Sequence, residues 1–314
     1  MTEISVIVVN WNGEELIGGC LRSLQAQTWR HFEVLVVDNG STDGSVGLVR
    51  VQFPEFKVIA LDKNYGFCQA NNIGIRESTG QYVVLLNNDA EADPGMLHAL
   101  RDAVERYRDV GMCACRMLLY NDHSRIDNCG IGLTPFGVAY PIGAGDSVLA
   151  HQQPQHVFGA CGGAALYRRS MLDRIGLFDE DFYSHIEDSD LSWRAQLKGY
   201  RCLYVPTAVV YHRGAMTSRR EPDATLFRIH RNITWSYLKN MPGVLLAVTL
   251  PLHMAYSLYW VLRASLCGRG GIVFRAKLEA LAYWRQTMCK RQRIQSERTI
   301  SLVGFLKTWH LIKQ

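Results

Sequence analysis

Polar residues directly follow an apolar run of the chain: Asn87, Asn88 and Asp89 come after the Val- and Leu-rich run 82–86. A continuous apolar run of this length is typical of a strand buried on both faces of a parallel sheet. Because open α/β sheets bind ligands at the carboxyl ends of their strands, we expect a ligand here. Asp89 could hold a hard cation, and the cation could hold a diphosphate. The alternative is an Asn/Asp turn without chemistry.

A second acidic group lies about a hundred residues further on, where Glu187, Asp188 and Asp190 open a predicted helix. Three carboxylates at a helix start can simply complement the helix dipole. The functional interpretation is that one of these carboxylates is a general base, because nearby like charges raise the pKa of a carboxyl group and so favour its accepting a proton. Asp190 and Arg194 are spaced to pair on one helix face, which would leave Glu187 and Asp188 free to face a cleft.

Three further features are weak when taken singly. Asp38 ends the second predicted strand and is either a turn residue or an acceptor for a nucleobase N–H. Asn64 and Gly66 belong to a loop that opens a helix and could present backbone N–H groups to a phosphate or sugar. His212 follows a predicted strand, and a lone histidine is more often structural than a ligand.

Composition and charge describe a globular chain with a basic end. The 314 residues are 48% hydrophobic and 20% charged, which argues against disorder. Nine scattered cysteines without a CxxC pair indicate reduced thiols in a cytosolic compartment. Positions 263–314 hold 11 basic and two acidic residues, a net charge of +9, so with a total of +5 the rest carries −4. Such a tail suits an anionic surface, and we expect no nucleic-acid partner.

Apolar spacing predicts an α/β fold with a mostly parallel sheet covered by helices. Asp93 and Pro94 are the expected N-cap and first residue of the fourth helix. The later part of the chain is less regular, and its Gly-rich stretch at 131–146 could be a flap over a ligand. Predicted strands cover 4–9, 32–37, 57–61, 82–86, 112–119, 157–167, 201–205 and 208–211, and predicted helices cover 14–27, 45–53, 70–78, 94–107, 187–198 and 224–239.

The stretch 241–262 is uncharged, rich in Leu, Val and Tyr, and interrupted by Pro251. Its length is close to the roughly 20 residues that a membrane span needs. We favour a helix that lies in the membrane interface over a true span or a pair of buried helices broken at Pro251. We therefore divide the chain into a domain at 1–240 and a helical, basic, membrane-associating tail at 241–314.

Taken together, the motifs resemble those of the family 2 inverting glycosyltransferases of the GT-A fold, and most closely the bacterial branch of rhamnosyltransferases and related cell-surface polysaccharide enzymes. The resemblance covers roughly positions 3–240, and its strength comes from the order and spacing of five motifs. These motifs lie at 8–12, 36–45, 64–74, 85–89 and 187–194.

The resemblance assigns donor-binding roles to residues of the first half. Asp38 would bind the base of a nucleotide-sugar, with backbone near Val9 and Asn10 lining the same pocket. Asn64 and Gly66 would lie near the nucleotide and the sugar. The Asn87-Asn88 pair would also contact the donor.

The resemblance also assigns the metal and the base. Asp89 occupies the last position of the family's DxD metal motif, whose first position is here Asn87. His212 matches a further ligand of the ion, which would be Mg²⁺ or Mn²⁺. Asp188 matches the catalytic base, with Glu187 as runner-up, and Asp190 would be a structural support.

The implied activity is transfer of a sugar from a nucleotide-diphosphate donor to a lipid-linked saccharide, at the cytoplasmic face of the cell membrane. The first expectation for the donor is dTDP-rhamnose, and a UDP-hexose is the alternative. A sugar nucleotidyltransferase is disfavoured, because the segment 10–15 is acidic and lacks the Lys or Arg that would hold a triphosphate. A non-catalytic membrane scaffold is disfavoured by the presence of Asp38, Asp89 and Asp188.

Overall fold

The computed structural model describes residues 2–214 and 220–309 of the chain. Its first part alternates strands and helices in the predicted order, and the strand at 82–86 has the predicted ends. These elements are β1 (Ile4–Asn10), α1 (Glu14–Gln25), β2 (Phe32–Asp38), α2 (Ser45–Gln52), β3 (Lys57–Ala60), α3 (Gly66–Arg76), β4 (Tyr82–Leu86), β5 (Ala90–Ala92) and α4 (Met96–Arg106).

The middle of the chain supplies most of the remaining strands and the helix that carries the second acidic group. In chain order these elements are β6 (Val110–Leu119), β7 (Asp122–Asn128), β8 (Ile131–Leu133), β9 (Ala139–Pro141), β10 (Gln155–Val157), β11 (Ala164–Arg168), α5 (Arg169–Ile175), a 3-10 turn (Glu180–Phe182), α6 (Glu187–Leu197) and β12 (Arg201–His212).

Within the described residues, the strands form a ten-stranded sheet in the order β10-β12-β6-β11-β4-β1-β2-β3, with β5 beside β12 and β7 beside β6. Strands β4, β1, β2 and β3 are parallel to one another, as predicted. Strand β11 enters antiparallel between β4 and β6, so the sheet is mixed. Its parallel half brings the carboxyl ends of β1, β2 and β4 to one edge.

The strand β4 is buried on both faces, as its unbroken apolar sequence predicts. Val84 and Leu86 point into one apolar layer, and Val83 and Leu85 point into the other. Helices must therefore cover both faces of the sheet. This is the α/β architecture expected from the sequence.

Several predicted boundaries differ from the observed ones, and helix α3, predicted at 70–78, begins four residues earlier at Gly66. Helix α4 begins at Met96, because the backbone N–H of Gly95 donates to the Asp93 side chain at 3.0 Å and Pro94 stays in the preceding turn. The predicted strand 157–167 is two strands, β10 and β11, on different parts of the sheet. The two predicted strands at 201–211 are one, since β12 continues through an irregularity between Val205 and Val209.

The Gly-rich stretch 131–146, predicted as a possible flap over a ligand, does not lie over the main cleft. It forms the hairpin β8–β9, and none of its residues lines the main cleft described below. The hairpin turn instead contacts the C-terminal helices, where the Phe136 carbonyl accepts a hydrogen bond from His253 Nδ1 at 3.0 Å. A Cβ on Gly137 would lie 2.5 Å from the Tyr237 ring, so this contact is close.

Five helices complete the described chain and pack partly on the sheet domain. The Phe305 ring stacks on Trp193 of α6 at 5.2 Å, and Ala280 is part of the core beneath the sheet. The tail therefore shares its core with the body. These helices are α7 (Pro222–Asn240), α8 (Gly243–Ser265), α9 (Gly270–Ala282), α10 (Trp284–Ser296) and α11 (Leu302–Trp309).

Helix α8 is continuous through Pro251 and is largely exposed, so it is not a pair of buried helices. It has 23 residues, a mean hydropathy of 1.5 over its most apolar window, and only 11% of that window buried. A helix of this length and composition is able to cross or enter a membrane. Its side chains that are more than half exposed include Val244, Val248, Leu252, Met254, Leu258, Tyr259 and Leu262.

All nine cysteines lie in the described part of the chain, and each is a free thiol. Cys113 and Cys115 are buried on the same face of β6, as their alternation predicts.

Candidate active site

A cleft of about 440 Å³ opens at the edge where β1, β2 and β4 end. The loops after these strands form one wall, and the start of α6 and the first turns of α7 form the other. Because parallel strands end together at this edge, residues distant in sequence meet here. The cleft is lined by Val9, Trp11, Asn39, Asn64, Gly66, Phe67, Asn87, Asn88, Asp89, Cys161, Gly162, Gly163, 183–188, His212, Glu221, Thr225, Arg228 and Ile229.

Asn10 and Asp38 lie just beneath this lining. They are level with each other at the ends of β1 and β2, and Asn10 Nδ2 donates to Asp38 Oδ1 at 2.9 Å. Asp38 also accepts from the backbone N–H and the hydroxyl of Ser41. Asn88 Nδ2 donates to Asn10 Oδ1 at 2.8 Å, which joins the β4 loop to the same network. These side chains order the loops in the structure, and the contact of Asp38 with a base stays a prediction.

The loop at Asn64 is held from three sides. Asn64 Oδ1 accepts from Asn39 Nδ2 at 2.9 Å, from the Gly66 backbone N–H at 2.9 Å and from the Tyr183 hydroxyl at 3.1 Å. Gly66 has a φ of +85°, and a Cβ on it would lie 2.7 Å from the Tyr183 carbonyl oxygen. Glycine adopts this φ without steric cost and permits the close approach. Both predicted residues of this loop therefore reach the cleft.

Asp89 and His212 meet in the cleft, as the resemblance implies. His212 ends β12, and its Nε2 lies 3.3 Å from Asp89 Oδ1. On the other side of the ring, Nδ1 lies 2.8 Å from Asp127 Oδ2. Burial lowers the pKa of His212, but its close contacts with Asp127 and Asp89 and the negative charges of these two carboxylates outweigh burial and raise the pKa to about 9. Without a bound cation, the imidazole is therefore charged between the two carboxylates.

The donor set at this point suits a divalent cation. His212 Nε2 is buried and makes no well-aligned hydrogen bond, while Nδ1 is engaged by a carboxylate. In metal-binding histidines, the other ring N–H usually donates to a carboxylate, a backbone carbonyl or water, and Asp127 provides such a partner here. Among the described residues, no group of three or more His, Cys, Asp or Glu side chains converges on one point. Asp89 and His212 could thus hold an ion only if a bound diphosphate supplied further ligands to it. Asn87 is uncharged and adds no negative charge to the site.

Glu187 and Asp188 begin α6 on the opposite wall of the cleft. Asp188 Oδ2 accepts from the Gly162 backbone N–H at 3.0 Å, and Oδ1 accepts from the Ser189 backbone N–H at 2.6 Å. Burial raises the pKa of Asp188, although these backbone donors oppose the rise. Burial and the charges of Asp188 and Asp190 raise the pKa of Glu187 to about 8. The pair thus holds a carboxylate that is more basic than usual, which suits a general base.

Asp190 is directed away from the cleft, as predicted. It is fully buried and pairs with Arg194 Nε at 3.0 Å and with Lys239 Nζ at 2.8 Å. Burial raises its pKa, but the two cations outweigh this effect and lower it. Asn240 also donates to Asp190 at 2.7 Å, so the carboxylate fixes α6 to α7. The three acidic residues therefore divide into two that face the cleft and one that holds the helix.

Several site residues were not singled out from the sequence. Asn39 and Tyr183 support the Asn64 loop, Gly162 supports Asp188, and Asp127 supports His212. Arg228 places its guanidinium over the Tyr183 ring at 4.5 Å and pairs with Glu221 at 3.0 Å. Asn39 lies within the motif at 36–45, but the other residues carry no local signal in the sequence.

The family model for "Glycosyl transferase family 2" matches residues 5–176. This range is more than half of the chain and contains β2, β4, Asp89 and all of β1 except its first residue. The chain belongs to the family 2 glycosyltransferases. The resemblance seen in the sequence is thereby confirmed, and the protein is a glycosyltransferase.

Among curated relatives, this transferase is 27% identical over 304 residues to the N-acetylglucosaminyl-diphospho-decaprenol L-rhamnosyltransferase of Mycobacterium tuberculosis, covering 88% of this chain and 95% of the relative. It is also 27% identical over 214 residues to the uncharacterized glycosyltransferase YwdF of Bacillus subtilis, covering 67% and 74% of the two chains. The first alignment covers most of the transferase and nearly all of the relative.

Solved structures confirm the GT-A fold. The transferase superposes on TarS 1–349 of S. aureus in complex with UDP-GlcNAc with a TM-score of 0.59, 19% identity, and coverage of 99% of this chain and 89% of that one. It superposes on the mannosyltransferase PcManGT of Pyrobaculum calidifontis, in complex with GDP-Man and Mn²⁺, with a TM-score of 0.56, 20% identity, and coverage of 99% and 88%.

Proposed function

We propose that this transferase moves a sugar, with rhamnose as first candidate, from a nucleotide-diphosphate donor to a lipid-linked saccharide in cell-surface polysaccharide synthesis. The observation that carries the proposal is the pairing of two unlike groups across one cleft. Asp89 and His212 on one side suit a cation and a diphosphate, and Asp188 on the other side suits a proton acceptor. In such a transfer, a bound cation would stabilise the leaving diphosphate, and the carboxylate would accept the proton of the attacking hydroxyl.

The chemistry of the transferase residues is that of a single displacement. Asp188 accepts the proton of an acceptor hydroxyl while that oxygen attacks the anomeric carbon. The backbone N–H groups of Gly162 and Ser189 orient the carboxylate for this role. One displacement inverts the anomeric configuration and needs no covalent intermediate.

Asp89 and His212 would hold Mg²⁺ or Mn²⁺ beside the diphosphate, with Asp127 orienting the imidazole. Such an ion, when bound, neutralises charge on the leaving nucleotide diphosphate. One imidazole among oxygen ligands leans slightly toward Mn²⁺. Because Asn87 replaces a carboxylate of the family motif, we expect modest affinity for the ion in the absence of donor.

The donor base would lie near Val9 and the Asn10–Asp38 pair, and the sugar near Asn64 and Gly66. The mycobacterial relative is named a rhamnosyltransferase, which supports a dTDP-rhamnose donor. The TarS complex with UDP-GlcNAc supports a UDP-hexose as the second candidate. The relative's name also includes a diphospho-decaprenol acceptor, which supports a lipid-linked saccharide here.

A peripheral or monotopic position at the cytoplasmic face of the membrane fits this acceptor. Helix α8 exposes an apolar surface, and the basic residues that follow it suit anionic headgroups. The His230 ring lies 5.3 Å from the Trp260 ring, so α8 contacts the helix whose first turns line the cleft. A lipid-linked acceptor held at α8 would therefore approach the cleft along α7.

The test is a transfer assay with the full-length chain in detergent. The acceptor is polyprenyl-diphosphate-linked N-acetylglucosamine, and the donors are dTDP-rhamnose, UDP-N-acetylglucosamine and UDP-glucose, each with Mn²⁺ or with EDTA. We expect a single donor to give product with Mn²⁺, with an inverted anomeric centre by NMR. Product from a UDP-hexose would select the second candidate. Absence of transfer from all three, with no thermal shift on adding dTDP or UDP with Mn²⁺, would contradict the proposal.

A further inference from the structure

The segment that leads into the catalytic helix has an unusual backbone. Tyr183, His185 and Ile186 have φ values of 63°, 68° and 69°, although none of them is glycine. Left-handed φ is uncommon for such residues and is a genuine outlier for a β-branched side chain like that of Ile186. The next two residues are Glu187 and Asp188. A strained conformation of this kind persists only where its surroundings hold it.

Asn232 of α7 provides that hold. Its side chain is fully buried, and its Nδ2 lies 3.0 Å from the Phe182 carbonyl oxygen, 2.9 Å from that of Ser184 and 2.8 Å from that of His185. A carboxamide has only two N–H donors, so three carbonyl groups share them. Carbonyl groups from both sides of Tyr183 can converge on one amide only if the segment curls around it.

The orientation of the Asn232 amide is itself determined by a neighbour. Arg231 Nε donates to Asn232 Oδ1 at 3.0 Å, which directs the NH₂ group toward the segment. Asn232 opens an Asn-Ile-Thr sequence, but its burial excludes it as a glycosylation site. Its burial and its three contacts instead give it a role inside the fold.

We propose that Asn232 is a positioning residue for the base: it holds the segment 182–186 in the curled conformation, with positive φ at Tyr183, His185 and Ile186, that directs Asp188 into the cleft. The inference rests on the proposed role of Asp188 in transfer. Asn232 does not line the cleft and acts through the backbone that precedes α6.

The donor loop has supports that do not involve the segment 182–186. Asn39 Oδ1 accepts from the Tyr65 backbone N–H at 2.9 Å, and Asn39 Nδ2 donates to Asn64 at 2.9 Å. Tyr183 of the segment also contacts this loop, because its hydroxyl donates to Asn64 at 3.1 Å and its carbonyl oxygen accepts from the Cys68 backbone N–H at 3.0 Å. A loss of Asn232 should therefore lower kcat much more than it lowers donor affinity. A general loss of folding would reduce both.

The experiment compares Asn232→Asp, which removes the donor, with Asn232→Ser, which retains one smaller donor. The control is Ser236→Ala, one turn further along α7, because Ser236 is buried and its hydroxyl makes no hydrogen bond. At a temperature where all proteins are folded, we expect kcat to fall at least 30-fold in Asn232→Asp, less in Asn232→Ser and less than twofold in the control. The affinity for UDP or dTDP with Mn²⁺ should change less than threefold.

A second measurement does not depend on transfer. Amide hydrogen exchange of the full-length chain should rise at 182–188 in the Asn232 variants and remain at the wild-type level there in the control. Increased exchange at 182–188 in the Asn232 variants, together with an absence of transfer by the wild type, would support the role of Asn232 in holding this segment. It would at the same time contradict the proposed function. Unchanged exchange at 182–188, or equal kcat losses in Asn232→Ser and Ser236→Ala, would overturn the inference. If Asn232→Asp does not fold, Asn232→Ser decides both measurements.

Discussion

The Nε2 atom of His212 lies 3.3 Å from Oδ1 of Asp89, although His212 ends β12 and Asp89 lies far earlier in the chain, in the turn between β4 and β5. The contact arises because β5, which follows Asp89, pairs antiparallel with β12, and His212 is the register partner of Ala90. The sheet thus brings one carboxylate and one imidazole to the cleft. Asp127 on β7 holds the ring from behind.

This arrangement predicts a graded loss of metal-dependent donor binding. Asp89→Ala and His212→Ala each remove a ligand and should weaken binding of UDP or dTDP with Mn²⁺ by at least about tenfold, while binding in EDTA stays weak. Asp127→Asn should weaken this binding less than His212→Ala does, because it removes a partner that orients the imidazole and leaves both ligands in place. Titration calorimetry measures these affinities, with Asp122→Asn on the same exposed strand as control. Equal affinity with Mn²⁺ and EDTA in the wild type would refute the metal role.

The position of Asp188 predicts that Asp188→Asn separates chemistry from binding. An amide cannot accept the proton, so kcat should fall by roughly 10²- to 10⁴-fold. Donor affinity should stay within about twofold, because Asp188 lies on the wall opposite Asp89. Single-turnover transfer and calorimetry on the same preparation check this. A variant that turns over at the wild-type rate would show that Asp188 is not the base.

The raised pKa of Glu187 predicts a different outcome for Glu187→Gln. With a pKa of about 8, Glu187 is mostly protonated at neutral pH, and glutamine resembles that form. We expect kcat at pH 7 to stay within about threefold of the wild-type value. In the wild type and in Glu187→Gln, kcat/KM should fall as the pH is lowered and Asp188 becomes protonated. Because burial raises the pKa of Asp188, this fall should occur at a pH above the ordinary pKa of aspartate. A hundredfold loss at pH 7 in Glu187→Gln would make Glu187 the base.

The same pKa predicts a change in stability with pH. The folded protein keeps the Glu187 proton up to about pH 8, while the unfolded chain releases it near the ordinary value of 4.5. The free energy of unfolding should therefore decrease as pH rises from about 4.5 to 8. One pKa unit corresponds to about 1.4 kcal/mol, so the full effect is on the order of several kcal/mol. Denaturant melts should show a smaller decrease in Glu187→Gln, and equal slopes would contradict this account.

The left-handed φ of Gly66 predicts that Gly66→Ala weakens donor binding. The added Cβ would lie 2.6 Å from Tyr183 Cδ2 and 2.7 Å from its carbonyl oxygen, so the loop must move. We expect affinity for UDP or dTDP to fall about tenfold and the melting temperature to drop. Gly47→Ala is the matched control, because nothing lies within 4 Å of its Cβ and helix α2 favours alanine. That control should be unchanged or slightly stabilised, and equal behaviour of the two variants would refute the prediction.

Local pattern was sufficient to predict the elements that position the site. The apolar runs of β1, β2 and β4, and the polar residues that end them, follow from periodicity alone. The division of α6 into Glu187 and Asp188 facing the cleft and Asp190 paired with Arg194 follows from helical spacing.

Contacts between distant segments could not be predicted in this way. The Tyr183–Asn64 hydrogen bond and the Asn232 amide depend on how β11, α6 and α7 are arranged around the sheet, and periodicity does not encode that arrangement. Asp127 lies on a polar, largely exposed strand, where a single carboxylate looks like any other surface charge. Such residues can be recognised as part of the site only when the order of the strands in the sheet is known.

The exposed face of α8 predicts membrane association that depends on apolar side chains. Removing the whole tail is a poor test, because Phe305 and Ala280 pack in the body and their loss would destabilise it. Leu252→Ser with Leu258→Ser changes two side chains that are 55% and 59% exposed, so folding should be retained. We expect the double variant to move from the membrane pellet to the soluble fraction and to bind anionic vesicles more weakly.

The matched control for this double variant is Val51→Ser with Leu149→Ser, two apolar residues that are each 80% exposed on other parts of the surface. It removes similar apolar area from water contact but should leave fractionation and vesicle binding unchanged. High salt should weaken vesicle binding of the wild type only in part, because burial of apolar surface is not screened whereas the attraction of basic residues to anionic lipid is. Wild-type protein found wholly in the soluble fraction, or equal shifts in both double variants, would show that α8 does not attach the transferase to a membrane.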